Sequence, residues 1–137
     1  MRLVERLLAA LLIGGAIVTA CYWWSYFTGG DVMAVRERWY TAFESSFPMA
    51  DGFMALCMFA AGVGLWNGRE WGARFGLMAG ATLLYLAAMD ITFDVENGMY
   101  ALARTNDAMK FEVFINATSV LLGIATLVIS WRRVGRR

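Results

Sequence analysis

Several polar side chains sit where the surrounding sequence is apolar enough for lipid. In LYLAAMDITFDVENG, residues 84–98, a hydrophobic run ends in Asp90, Asp94 and Glu96. Asp51 follows Pro48 at the head of a second apolar run, and Glu112 and Asn116 open a third. Carboxylates at such depth are costly unless they face protein, a partner or water. Asp90 and Asp94 are one helical turn apart, as are Glu112 and Asn116, so two helices can present paired polar groups across a narrow gap. An acid that keeps its proton beside one that is ionised supplies a general acid and a general base. The chemistry this suggests is proton shuttling on a lipophilic substrate, such as isomerisation or cyclisation of an isoprenoid or sterol-like molecule. Asp90, Glu112 and Asp51 are the candidate catalytic groups. The same acids would attract a cation or a cationic amphiphile by Coulomb attraction at reduced dielectric. Asp94 and Asn116 are candidate ligand-binding groups, with Tyr22, Tyr26, Tyr85 and Trp39 as aromatic walls.

The elements that position these groups follow from composition. The chain of 137 residues is 60% hydrophobic with one proline and a positive mean hydropathy, too apolar for an ordinary soluble domain. Four stretches are long enough to cross a bilayer: residues 4–27, 47–66, 71–93 and 111–131. The expectation is an all-α, polytopic membrane protein, a four-transmembrane-helix up-down bundle forming a single domain over residues 1–137. Arg2, Arg6, Arg69, Arg74, Arg132, Arg133, Arg136 and Arg137 then share one end, against Arg36, Arg38, Arg104 and Lys110 at the other. Basic loops stay in the cytoplasm, so both termini are expected there, in a multi-pass protein of a bacterial inner (plasma) membrane. Nine of the eleven acids fall at the outer end, which makes the expected pocket acidic and outward-facing. Val18-Thr19-Ala20-Cys21 resembles a lipoprotein cleavage box, but the aromatic run from Tyr22 to Phe27 prolongs the span like an interfacial belt. An uncleaved first helix is expected.

Helical periodicity orients the polar groups. Asp90 lies 18 positions after Gly72 and so on the face of Gly72, Gly76 and Gly80, two overlapping GxxxG repeats. That face turns Asp90 towards protein, and it makes the helix over 71–93 a candidate surface for homo- or hetero-oligomers. Glu112, Asn116, Ser119, Gly123, Thr126 and Ser130 form one polar and small stripe on the fourth span. Asp51, Ala55, Met58 and Gly62 repeat it on the second, and Gly15, Thr19, Tyr22 and Tyr26 more weakly on the first. Counting about 1.5 Å per residue from Trp71 and Trp131 puts Asp90 and Glu112 near the outer edge of a core about 30 Å thick. In the first outer loop, Val32, Val35, Trp39, Tyr40 and Phe43 predict an amphipathic surface helix over 32–45, after which Ser45 or Ser46 would cap the second span. Met99, Tyr100, Leu102 and Ala103 predict a second short helix, with Thr105 or Asn106 starting the fourth span.

Composition also excludes functions. Without histidine there are no His-dependent metal sites, no haem ligation through His and no Ser-His-Asp triad. Cys21 and Cys57 lack CxxC spacing, and the scattered basic residues indicate no nucleic acid. Met54, Cys57 and Met58 are soft ligands that suit Cu(I), yet Met is a common adaptable packing residue, and neither a cofactor nor a resident metal is expected. The expected partners are membrane lipid and a lipophilic or cationic small molecule. Two further readings compete. Arg36, Arg38, Arg104 and Lys110 could neutralise the acids in a purely structural ion-pair network, or the protein could be a non-enzymatic accessory or assembly subunit of a larger membrane complex. In architecture alone, four spans carrying carboxylates and a long first outer loop, the chain resembles the EXPERA family of sterol isomerases and ligand-binding proteins. The resemblance covers the layout of the spans rather than aligned motifs, and the missing histidine departs from the isomerase members.

Overall fold

The computed structural model describes residues 3–135, which form helices and loops. Four long helices are apolar enough to cross a membrane: α1 (Leu3–Phe27), α3 (Pro48–Trp66), α4 (Glu70–Glu96) and α5 (Asp107–Val134). A short α2 (Arg38–Glu44) joins α1 to α3, and a 3₁₀ helix (Met99–Arg104) joins α4 to α5. Helices are what such a sequence must form, because hydrocarbon offers the backbone no outside partner and a helix satisfies its N–H and C=O groups internally. Local chemistry marks the ends. Pro48 occupies the first turn of α3, where its missing N–H costs nothing. Gly68, with φ +68°, turns the chain between α3 and α4. Asn106 caps α5 by accepting from the Met109 N–H at 3.1 Å.

Two expectations about the first loop are corrected. The surface helix covers Arg38–Glu44 rather than 32–45. Val32 and Val35 are β-branched and poorly suited to a helix, and the Ala34 carbonyl accepts from Asn106 Nδ2 at 2.7 Å, tying this loop to the start of α5. Ser45 and Ser46 do not cap α3. Their hydroxyls donate back to the carbonyls of Ala42 and Phe43, so they close α2 instead, and Phe47 precedes α3 without a side-chain cap.

In the bundle α1 packs on α3, α3 on α4 and α4 on α5, whereas α1 and α5 touch little and leave a seam. At the end where α1 starts and α5 finishes, Glu5 accepts from Arg133 at 3.0 Å and draws the two helices together. Of the basic residues used to orient the chain, Arg2, Arg136 and Arg137 lie outside the described residues. Close backbone contact holds the half of the bundle near the termini. A Cβ on Gly72 would come within 2.5 Å of the Gly64 carbonyl carbon and the Leu65 nitrogen, and one on Gly80 within 2.9 Å of the Gly123 oxygen. These glycines therefore meet α3 and α5 of the same chain. Large side chains such as Leu56, Tyr85 and Leu121 point outward and are exposed, as a surface bathed in lipid requires.

Candidate functional site

At the opposite end, α2 and the 3₁₀ helix form a cap. Phe93 of α4 seats α2: the Phe43 ring stacks on it with centroids 3.6 Å apart, and Trp39 and Tyr40 pack beside it at 5.8 and 6.1 Å. Tyr40, Met99 and Met109 form a small core within the cap, each no more than 2% exposed. Seating α2 in this way aims Tyr40 and Glu44 down into the bundle.

Below the cap the acids of four helices converge, Glu44 of α2, Asp51 of α3, Asp90 and Asp94 of α4, and Glu112 of α5. Tyr40 donates to Glu112 Oε2 at 2.9 Å, Tyr22 to Glu44 Oε2 at 3.1 Å, and Trp23 Nε1 to Asp51 Oδ2 at 2.9 Å. Asn116 Nδ2 donates to Asp94 Oδ2 at 3.1 Å and lies 3.3 Å from the Tyr100 hydroxyl. Burial pushes the Tyr100 phenol above its usual range, so it remains neutral. Oxygens of Asp90, Asp94 and Glu112 all lie within 4.8 Å of one another. Asp94 is completely buried, and Asp94 Oδ1 and Glu112 Oε1 have no hydrogen-bond partner.

Ion pairing does not explain this arrangement. Among the described residues Arg36 pairs with Asp31, Lys110 with Asp107 and Arg133 with Glu5, and none of these bases reaches the acids under the cap. The donors that do reach them are neutral. A hydrogen bond to a charged group contributes about 1.5–3 kcal/mol, whereas burying an ion costs several. Two full anions 4.8 Å apart at an effective dielectric of about 20 also repel by about 3.5 kcal/mol. The cluster must therefore carry protons or a cation.

A cavity of about 420 Å³ opens beneath the acids, within the range of small-molecule sites. Glu44, Asp51, Asp90 and Glu112 form its roof, with Asn116 beside them. Its lower walls are apolar or small, among them Gly14, Gly15, Met58, Leu83 and Leu122. Leu11 and Val18 of α1 and Phe114 and Thr118 of α5 also line it, so it reaches the seam between these helices.

The candidate residues divide accordingly. Asp90, Glu112, Asp51, Asn116 and Tyr22 line the cavity, and Asp94 stands behind its wall. Three aromatic residues expected as walls do not line it. Tyr85 is 67% exposed, because it lies two residues from inward-facing Leu83 and so on the opposite face of α4. Trp39 donates to Glu37 and packs on Phe93 outside the cavity, and Tyr26 packs edge-on to Trp23 with centroids 5.0 Å apart. Sequence reasoning missed Glu44, Tyr40, Tyr100 and the contact from Trp23 to Asp51. The spacing of Tyr40 and Glu44, one helical turn apart, was the available signal.

The fold and site define a four-helix protein of multi-pass membrane character with a buried acidic cluster. Comparison with protein-family models, curated proteins and solved structures gives no match. The architectural likeness to the EXPERA family therefore assigns nothing to this chain.

Proposed function

We propose that this protein binds an amphiphile with a cationic head, such as a long-chain amine or quaternary ammonium, admitted from the bilayer through the seam between α1 and α5. The observation that carries this reading is the cavity itself, apolar below and roofed by carboxylates that no base among the described residues neutralises. A cationic head under Glu44, Asp51, Asp90 and Glu112 would gain the Coulomb energy that the protein leaves unspent, and a hydrocarbon tail would lie along Gly15, Met58 and Leu122. The cap supports lateral entry, since the buried side chains of Tyr40, Met99 and Met109 cover the roof on the side away from the termini. The excess of Arg at the terminal end supports a cytoplasmic position for both termini in a bacterial inner membrane, with the roof towards the outer surface. For a head with an exchangeable proton, Asp90, Glu112 and Asp51 are the acid-base groups within reach.

The test uses the purified chain in uncharged detergent with two spin-labelled probes, one alkyl chain bearing a trimethylammonium head and the same chain bearing a sulfate. Expected is a motionally restricted fraction for the cationic probe alone. Asp51→Asn and Glu112→Gln should each weaken its binding by about tenfold, which corresponds to about 1.4 kcal/mol. Equal retention of both probes, or unchanged binding in both variants with helicity intact, would refute the reading.

A further inference from the structure

Asp90, Asp94 and Glu112 differ from the other acids of the roof. Glu44 and Asp51 each receive one donor from α1, but these three bring oxygens of α4 and α5 within 4.8 Å of one another. Oxygens that share one cation at about 2.3–2.6 Å are at most about 5 Å apart, so the set already has the spread of a coordination sphere. A cluster of acids alone would be ambiguous. The second observation is Asp94, which is 0% exposed and whose Oδ1 has no partner, while its Oδ2 is held by Asn116. A wholly buried carboxylate oxygen left without a donor normally costs free energy. Glu112 repeats the pattern: Tyr40 donates to Oε2, and buried Oε1 has none. In each case one oxygen is fixed by a neutral donor and the other is left over.

We propose that Asp90, Asp94 and Glu112 bind one divalent cation of the hard, oxygen-preferring class. Carboxylate oxygens suit Ca²⁺, Mg²⁺ or Mn²⁺ and disfavour the soft ions that thiolates and thioethers select. The ion would occupy the orphaned oxygens, cancel the repulsion among the three anions and join α4 to α5 beneath the cap. Asn116 and Tyr40 would hold two of the ligands in orientation, the role that outer partners play around metal sites. The proposal goes beyond the amphiphile reading and does not need it, since an ion on the α4–α5 wall leaves Glu44 and Asp51 facing the cavity.

The test titrates Mn²⁺ or Ca²⁺ alone, with no amphiphile, into the EDTA-treated 137-residue chain in uncharged detergent. Expected are about one retained Mn²⁺ per chain by electron paramagnetic resonance and a higher thermal midpoint with either ion than with Na⁺ at matched ionic strength. Asp94→Asn, which keeps an acceptor for Asn116, should lower Mn²⁺ affinity by about tenfold or more, while Asp31→Asn, on the exposed outer loop, keeps the wild-type response. If Asp94→Asn does not fold, Asp90→Asn serves the same comparison. Absence of Mn²⁺ retention by the wild type would overturn the proposal in favour of shared protons. Equal retention by a folded ligand variant and the wild type would overturn it in favour of exposed loop acids. Either result leaves the spin-label experiment unaffected, so the two ideas fail separately.

Discussion

The two halves of the bundle are built on different physics. Near the termini the helices approach backbone to backbone, Gly72 against Gly64 and Gly80 against Gly123, and Glu5 and Arg133 join α1 to α5. Under the cap the same helices surround a cavity, and contact is made by long polar and aromatic side chains: Tyr22, Trp23, Tyr40 and Asn116 reaching to acids. In lipid the hydrophobic effect does not drive helices together, so association rests on van der Waals contact and on polar groups with nowhere else to turn. One half uses the first and the other uses the second. The tightly packed half gives the helices a fixed base from which the capped half can stay open.

The largest effect that could break this contrast comes from the packed half. Gly72→Val places atoms where the backbone of Gly64 and Leu65 already lies, so α3 and α4 must separate. A loss of about 3 kcal/mol or more is expected, seen as failure to elute as a single species in mild detergent and a collapsed thermal midpoint. A stable Gly72→Val protein would show that the base is not rigid. In the capped half, Tyr40→Phe deprives half-buried Glu112 of its donor at Oε2 and should cost about 1–3 kcal/mol by reversible unfolding in mixed micelles. No cost there would mean that the hydrogen bonds under the cap do not hold it. The smallest effect belongs to the lipid-facing surface: Tyr85→Phe, on a side chain 67% exposed, should change stability by no more than about 0.5 kcal/mol. A larger change would give the outer face of α4 a role that neither half of the comparison includes.

How far the site could be read in advance depended on the distance along the chain between its parts. On α5 the spacing of Asn116, Gly123, Thr126 and Ser130 marks one face, and all four are buried. The same periodicity placed Asp90 on the face of Gly72, which turns inward. Tyr40 and Glu44 read in the sequence as part of a helix lying on the membrane surface, and they reach the acids only because α2 rests on Phe93, some 50 positions away. Trp23 reads as an interfacial aromatic residue, yet it is 8% exposed and bonds Asp51. The bases of the outer loops were equally available on paper as partners for the acids, and geometry sends Arg36 and Lys110 to Asp31 and Asp107 instead.

Sequence alone determined that the chain must form long apolar helices, how many there are and which stripe of α5 faces inward, because backbone hydrogen bonding in lipid and a 3.6-residue period act within single segments. Only the tertiary structure decided which acids meet, which neutral donors reach them, and that a cavity lies beneath. Those outcomes depend on the relative rotation of separate helices and on how the cap is seated, and no property of one segment specifies either.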